Sequence, residues 1–349
     1  MERRMKKSII SVLVATGLLA GAASAEPVTL KFAHGWPTGA GPHADFALDW
    51  TKQVTECTKG DVQFEFHTGG SQLGNFGKLE EYLRAGLIDV AHGLNHFPRN
   101  RFNASTVIDT PLLAKSAHAN SNTLWTLFEE GLISESYDGM KVLALHAHNA
   151  GMIHTNGKAV RLPTDVAGLR IRTPSPAAAI MITALGGIPV GVPPTETYEV
   201  LSKGTADGTV FPWEAVSGFK LAEVLENHTD AGIYTTSFWF GMNEKSYKSL
   251  SAEAQTCVDA ASNRTLVNKM GDYWNKWDAP GKAQAIEAGN NIIVLTDAEK
   301  AVWTETMTPV IATYHDSLRG DGGVKNVDEI YARAQELVVK YQAEADAKH

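Results

Sequence analysis

Residues 162–216 confine the fold more than any other stretch, because LPTDVAGLRIRTPSPAAAIMITALGGIPVGVPPTETYEVLSKGTADGTVFPWEAV alternates strand and helix at short pitch. Leu169, Ile171 and Thr173 alternate with Arg170 and Arg172, the two-residue period of a strand, and Pro174 prevents continuation as a regular helix. Ser175-Pro176 offers an N-cap and a first-turn proline, Ala177 to Leu185 a helical body, and Gly186-Gly187 the stop. Ile188 to Val192 reads as a second strand, Thr195 to Gly204 as a second helix, and Gly208 to Phe211 as a third strand before Pro212-Trp213-Glu214. Strands alternating with helices imply a parallel sheet with right-handed crossovers, and such sheets bind ligands at the carboxyl ends of their strands. Arg172 ends the first strand, and Phe211 to Glu214 lie at the end of the third. A guanidinium able to take a carboxylate bidentately therefore sits near large aromatic side chains. The same residues also allow Arg172 to pair with a structural Asp or Glu and Trp213 to be core, and by themselves they leave both readings open.

The chain has 349 residues, 44% hydrophobic and 20% charged, enough for two cores. Arg3, Arg4, Lys6 and Lys7 precede the apolar run Ile9 to Ala20 and then Ala23-Ser24-Ala25. This pattern is that of a secretory signal peptide cleaved after Ala25, leading to a location outside the cytoplasm, which the resemblance given below makes periplasmic. The run is short for a membrane span, and no cysteine follows the cleavage position to carry a lipid, so no direct membrane anchor is expected. Without residues 1–25 the chain keeps 27 basic against 38 acidic residues, a net charge of −11. Such a surface repels nucleic acid and anionic membranes, so capture of an anionic ligand falls to individual arginines.

The ordered set of motifs resembles the solute-binding proteins of tripartite ATP-independent periplasmic (TRAP) transporters. GLRIRTPSPAAAIMITALGGIPVGVPPTETYEVLSKGTADG carries the densest part of the resemblance. KFAH at Lys31 to His34, QLGN at Gln72 to Asn75, AGLIDVAHG at Ala85 to Gly93 and the Thr155-Asn156 pair continue it in family order. The resemblance implies a two-domain periplasmic binding fold of class II type, with each domain a mixed sheet flanked by helices and a long helix spanning both. It implies domain I from residues 26–149 plus about 236–270, and domain II from 150–235 plus about 271–349, with the spanning helix within Ala254 to Lys276. Two strand crossings then form a hinge over a small organic acid, which is delivered to membrane permease subunits. Cys57 closes the first predicted helix, Ala44 to Thr58, and the family's chain path brings Cys257 back to that domain. A Cys57–Cys257 disulfide follows from that path, with two separate buried thiols as the alternative reading of the residues.

Within the resemblance, Arg172 matches the arginine that grips the substrate carboxylate. The departures matter as much. Many relatives have a second arginine where this chain has Met152, and an asparagine where it has Phe211. Buried ligand hydroxyls without partners cost about 1–3 kcal/mol, so these changes disfavour sugar acids. Leu94 points the same way, and Trp36 and Trp213 offer flat apolar surface. The expected ligand is an aromatic or bulky apolar monocarboxylate, with a short 2-oxo or hydroxy acid as the alternative. Glu214 could accept a ligand hydroxyl or ammonium, or help to hold a cation as in a metal-using branch of the wider family. His34 and His43 are loop candidates whose alternative role is structural hydrogen bonding. His146 and His148 form a His-x-His strand pair that would suit a metal. No G-x-S-x-G, HExxH or glycine-rich phosphate loop is present, so neither an enzyme nor a cofactor is expected. A ligand-sensing partner of a membrane sensor kinase would share the fold.

Overall fold

The computed structural model describes residues 26–347, so the predicted signal peptide lies outside the described residues. The strands are β1 (Val28–His34), β2 (Val62–His67), β3 (Val90–Leu94), β4 (Met140–Ala147), β5 (Met152–Thr155), β6 (Arg170–Thr173), β7 (Ile188–Gly191), β8 (Gly208–Phe211), β9 (Asn227–Thr229), β10 (Ser237–Asn243) and β11 (Asn291–Ile293). They form two mixed sheets, ordered β2-β1-β3-β10-β4 and β11-β9-β5-β8-β6-β7. In the first sheet β1 runs parallel to β2 and β3, while β10 is antiparallel to β3 and β4. In the second, β6 is parallel to β7 and β8, and β5 is antiparallel to β8 and β9. The predicted architecture of two sheets flanked by helices is therefore present.

Local sequence chemistry accounts for the central stretch. Ser175 caps helix Pro176–Ala184 by accepting from the Ala178 amide, and Gly186 takes the left-handed conformation that ends it. The chain leaves the first sheet at the end of β4 and returns to it at the start of β10, and the two crossings hold each other. Gly151 N–H donates to Tyr234 O at 2.8 Å, and Thr235 Oγ1 donates to His148 O at 2.8 Å. β10 is buried along its whole length, so it reads as a continuous apolar run rather than an alternating one. Cys57 and Cys257 are bonded, with Cα atoms 5.7 Å apart, joining helix Leu48–Cys57 to helix Ala252–Ala260.

Two expectations need correction. The continuous helix over Ala254 to Lys276 is instead three helices, Ala252–Ala260, Asn263–Val267 and Met270–Glu287. Asn263 adopts φ 59°, outside the helical range, and Ser262 Oγ accepts from Trp50 Nε1 at 3.0 Å, so the chain turns there while Leu266, Met270 and Trp274 still reach the core. Helical apolar spacing survives such a break, which hides it from the periodicity. Met270–Glu287 touches both lobes, packed on helix Ala117–Glu129 on one side and on helix Trp213–Gly218 on the other, and helix Asp297–Arg319 likewise contributes to both cores. The second correction concerns the C-terminal helix, Val327–Asp346. It packs on Ala117–Glu129, and Ile330, Ala334, Leu337 and Tyr341 join the first core rather than the second.

Gly281 fixes how closely the spanning helix approaches the second lobe. A Cβ there would lie 1.8 Å from Trp213 O, a backbone atom that cannot rotate away. Gly281→Ala should cost about 1–3 kcal/mol or more through overpacking, read as a lower midpoint in urea denaturation. An unchanged midpoint would show that the two helices do not meet this closely.

Candidate functional site

Between the sheets lies a slot of about 30 Å³, as swept by the centre of a water-sized sphere, whose walls come from both lobes. Trp36, Phe76, Leu94 and Phe238 supply the first-lobe wall, and Pro174, Pro194, Phe211, Glu214 and Phe219 the second. His148, Tyr234, Thr236 and Trp274 close it from the crossings and the spanning helix. Trp36 is held edge-on by Phe76 at 4.7 Å and lies 4.5 Å from the His92 ring, so its orientation is set by packing. Pro174 separates the slot from an outer groove of about 410 Å³ lined by His96, Phe97 and Arg99 of the first lobe and by residues of 173–193 of the second.

Arg170 and Arg172, two residues apart on β6, have opposite fates. Arg170 is half exposed and satisfied by Asp207, which accepts from Nε at 3.0 Å and from Nη2 at 2.5 Å. Arg172 is 0% exposed and, among the described residues, has no carboxylate in ion-pair contact. Its Nε and Nη2 donate to Val192 O at 3.1 and 3.0 Å, its Nη1 is buried without a partner, and its guanidinium carbon lies 4.2 Å from the Phe211 ring centroid. Burial pulls its pKa down to about 9, opposed by Tyr234. Arg172 does not itself line the slot; it stands behind Phe211, with Pro174 and Tyr234 of the slot wall near it. Four further polar atoms on the wall are buried and unpartnered, Tyr234 Oη, Thr236 Oγ1, His148 Nε2 and Glu214 Oε1. Burial, reinforced by the Asp278 carboxylate, pushes the Glu214 carboxyl up to about 8.

Of the residues singled out in the sequence, Trp36, Leu94, Phe211 and Glu214 line the slot, with Arg172 directly behind it. Trp213 and Met152 do not. They share a separate small cluster with Val216 and Ala285, and the Trp213 ring packs against His154 and His228 at 5.4 and 4.9 Å. The reason is local: β8 ends at Phe211, and Pro212 begins a helix, whose 100° step per residue turns Trp213 away as it turns Glu214 inward. The residues missed were Tyr234, Thr236 and Phe238, whose alternation at the return crossing was a readable signal. Phe76 and Trp274 were also missed, and His148 was singled out for a metal rather than for this wall; only the tertiary fold brings these in.

The histidines are paired. His34 lies 2.9 Å from His43, and His146 Nε2 is 2.7 Å from His92 Nε2 while its Nδ1 accepts from Trp274 Nε1 at 3.1 Å. His146 therefore carries its proton on Nε2 and donates it to His92. His154 Nε2 donates to Phe211 O at 3.1 Å, so its Nδ1 accepts from His228 Nδ1 at 2.7 Å. Both rings of the suggested His-x-His pair are thus occupied differently, His146 in this chain of hydrogen bonds and His148 against Asn149 O and the slot. Among the described residues no group of three or more His, Cys, Asp or Glu side chains could hold a metal ion.

The sequence profile of bacterial extracellular solute-binding protein family 7, the DctP family, matches residues 32–317. The chain belongs to that family. This family 7 protein is a periplasmic solute receptor of the TRAP type, a class that binds small ligands and works with a membrane permease, and no helix among the described residues is long and apolar enough to cross a membrane. It is similar to the C4-dicarboxylate-binding periplasmic protein DctP of Shewanella loihica, 23% identical over 91% of this chain and 93% of that one. Its fold is also that of a marine metagenome TRAP solute-binding protein specific for aromatic acid ligands, crystallised with 3-hydroxybenzoate. That match is 28% identical with a TM-score of 0.86, covering 91% of this chain and 99% of the other. A TRAP solute-binding protein from Rhodoferax ferrireducens with copurified benzoate matches with 27% identity and a TM-score of 0.84, over 91% and 99% of the two chains.

The buried histidines give this receptor a pH dependence with a definite sign. Burial holds His146 and His154 at about 3 and His148 at about 4, against 6.5 when unfolded. The unfolded chain therefore takes up protons that the folded one refuses, so stability is full above about pH 6.5 and falls as pH drops below it. Each ring can contribute up to about 1.4 kcal/mol per pH unit. The thermal midpoint should drop clearly between pH 7 and pH 5, above the range where ordinary carboxylates protonate; equal midpoints would contradict buried neutral rings.

Proposed function

We propose that this protein is the receptor for an aromatic or bulky apolar monocarboxylate, held by Arg172 and enclosed by the rings of the slot. The observation that carries the reading is Arg172 itself, fully buried with Nη1 unpartnered and, among the described residues, no carboxylate in ion-pair contact. A buried guanidinium is costly without an anion, so an anionic ligand head is the natural partner. Trp36, Phe76, Phe211 and Phe238 provide faces for a flat body, and the neighbours that bind 3-hydroxybenzoate and benzoate support the same class. A C4-dicarboxylate would require a second cationic anchor, and among the described residues no Lys or Arg lines the slot in addition to Arg172 behind it. The slot is narrow, so a ring enters when the lobes part at the two crossings and is clamped when they return. Trp213 and Met152 support the second-lobe wall from behind in this reading rather than touching the ligand.

Isothermal calorimetry with benzoate tests it. Arg172→Ala should lose about 2–5 kcal/mol of binding, as when one partner of a buried charged pair is truncated. Trp36→Ala should weaken benzoate far more than lactate. Normal benzoate binding by Arg172→Ala, or equal binding of neutral benzamide by the wild type, would defeat the proposal.

A further inference from the structure

The slot offers more than an anion site and apolar walls. We propose that it selects a hydroxyl on the aromatic acid, with the Glu214 carboxyl and His148 Nε2 as a donor and acceptor pair and Asp278 as the residue that positions Glu214. This rests on the aromatic-acid reading above. Both residues line the slot, and Glu214 Oε1 and His148 Nε2 are buried and unpartnered. Their hydrogen-bonding roles follow from their neighbours. His148 Nδ1 meets the carbonyl of Asn149 and so must carry the ring proton, which leaves Nε2 as a lone-pair acceptor facing the slot. Glu214 is shielded from water and faces the Asp278 carboxylate, a combination that keeps a proton on its carboxyl and makes it a donor near neutral pH. A neutral acid can share a closed space with an anionic ligand, whereas an ionised one would repel it.

A hydroxyl is a small substituent that both donates and accepts, so it can serve both groups at once. A hydrogen on the ring in its place leaves two buried polar atoms unpaired, and this kind of mismatch is what gives strong discrimination. The two groups are tied to one support. Asp278 accepts from Glu214 N–H at 2.8 Å through one oxygen and from Asn149 Nδ2 at 2.7 Å through the other. It thereby fixes the first turn that carries Glu214 and the residue next to His148. The aromatic wall gives the ring its place, and the Glu214, His148 and Asp278 group reads what the ring carries.

The test is calorimetry with benzoate, 3-hydroxybenzoate and 4-hydroxybenzoate on the full-length mature receptor. The wild type should bind at least one hydroxybenzoate about tenfold or more tighter than benzoate. Glu214→Leu should bring that ratio close to one, Glu214→Gln, which keeps a donor and an acceptor, should retain most of it, and Asp278→Asn should reduce it. A pH series separates chemistry from mere structure. Between about pH 6.5 and about pH 8.5 Glu214 loses its proton, so the wild-type ratio should fall while that of Glu214→Gln stays flat. The other groups facing Glu214 are distinguishable: His148 titrates near 4, burial holds the Tyr234 phenol well above its usual range, burial also raises Asp278, whose titration is absent in Asp278→Asn, and Arg172 acts on both ligands alike. Benzoate bound with a wild-type ratio near one, a ratio untouched by Glu214→Leu, or one flat with pH in the wild type would overturn the hydroxyl pair and leave the aromatic-acid reading standing. Binding of no benzoate of any kind would overturn both.

Discussion

A charge buried without its opposite organises this receptor. Arg172 is brought into the interior by β6, and burial, opposed by Tyr234, lowers its pKa to about 9. The interior compensates only in part, with the Val192 carbonyl taking two N–H donors and the Phe211 face lying 4.2 Å from the guanidinium carbon. A fold that keeps such a group in place must be stable for other reasons, since removing a partner from a buried charge typically costs several kcal/mol. Those reasons are the two sheets, the helices that flank them and the Cys57–Cys257 bridge. The incomplete satisfaction of Arg172 is thus supported elsewhere in the structure, as functional strain usually is.

The histidine chains are part of that support. Each pair replaces what could have been an apolar contact with a directional one in which the tautomers are fixed. His154 holds the Phe211 carbonyl, and so the strand end that presents the Phe211 ring to Arg172. His146 takes the indole N–H of Trp274, which sets one face of the slot. Directional bonds in a buried network rigidify their surroundings, and here, with only His92 Nδ1 of the three pairs left buried without a partner among the described residues, they hold the walls of the slot. Their dependence on staying neutral is the weakness of the arrangement in acid.

Much of this was legible in the sequence where chemistry is local. Ser175-Pro176, Gly186 and the alternation of Ile171 and Arg172 placed the central strands and helices, because caps, positive φ and period two are short-range constraints. Arg172 stood out because its position at a strand end is also local. Trp213 misled for a geometric reason, since one residue's difference after Pro212 turns a side chain by about 100° and no composition signal reports that angle. The break at Ser262 and Asn263 was invisible because the apolar spacing runs through it. The packing of Val327–Asp346 on the first lobe depends on a long-range choice between two apolar faces. Tyr234, Thr236 and Phe238 were readable as an alternating set, but their importance comes from lying between the lobes.

The spanning helix explains why occupancy and closure belong together. Trp274, Asp278 and Gly281 fall four and three residues apart, so they share one face of Met270–Glu287. Trp274 touches the slot, Asp278 binds both the crossing residue Asn149 and the amide of Glu214, and Gly281 lies against the Trp213 carbonyl. Slot, crossing and second lobe therefore meet on one face of this helix, which carries Pro280 between Asp278 and Gly281. A ligand that seats against Trp274 and Glu214 would bear on the same element that holds Asn149 at the crossing. A clamp requires differential contact between open and closed forms, and the contacts that Trp213 and Glu214 make with this stripe are where such a difference would be registered.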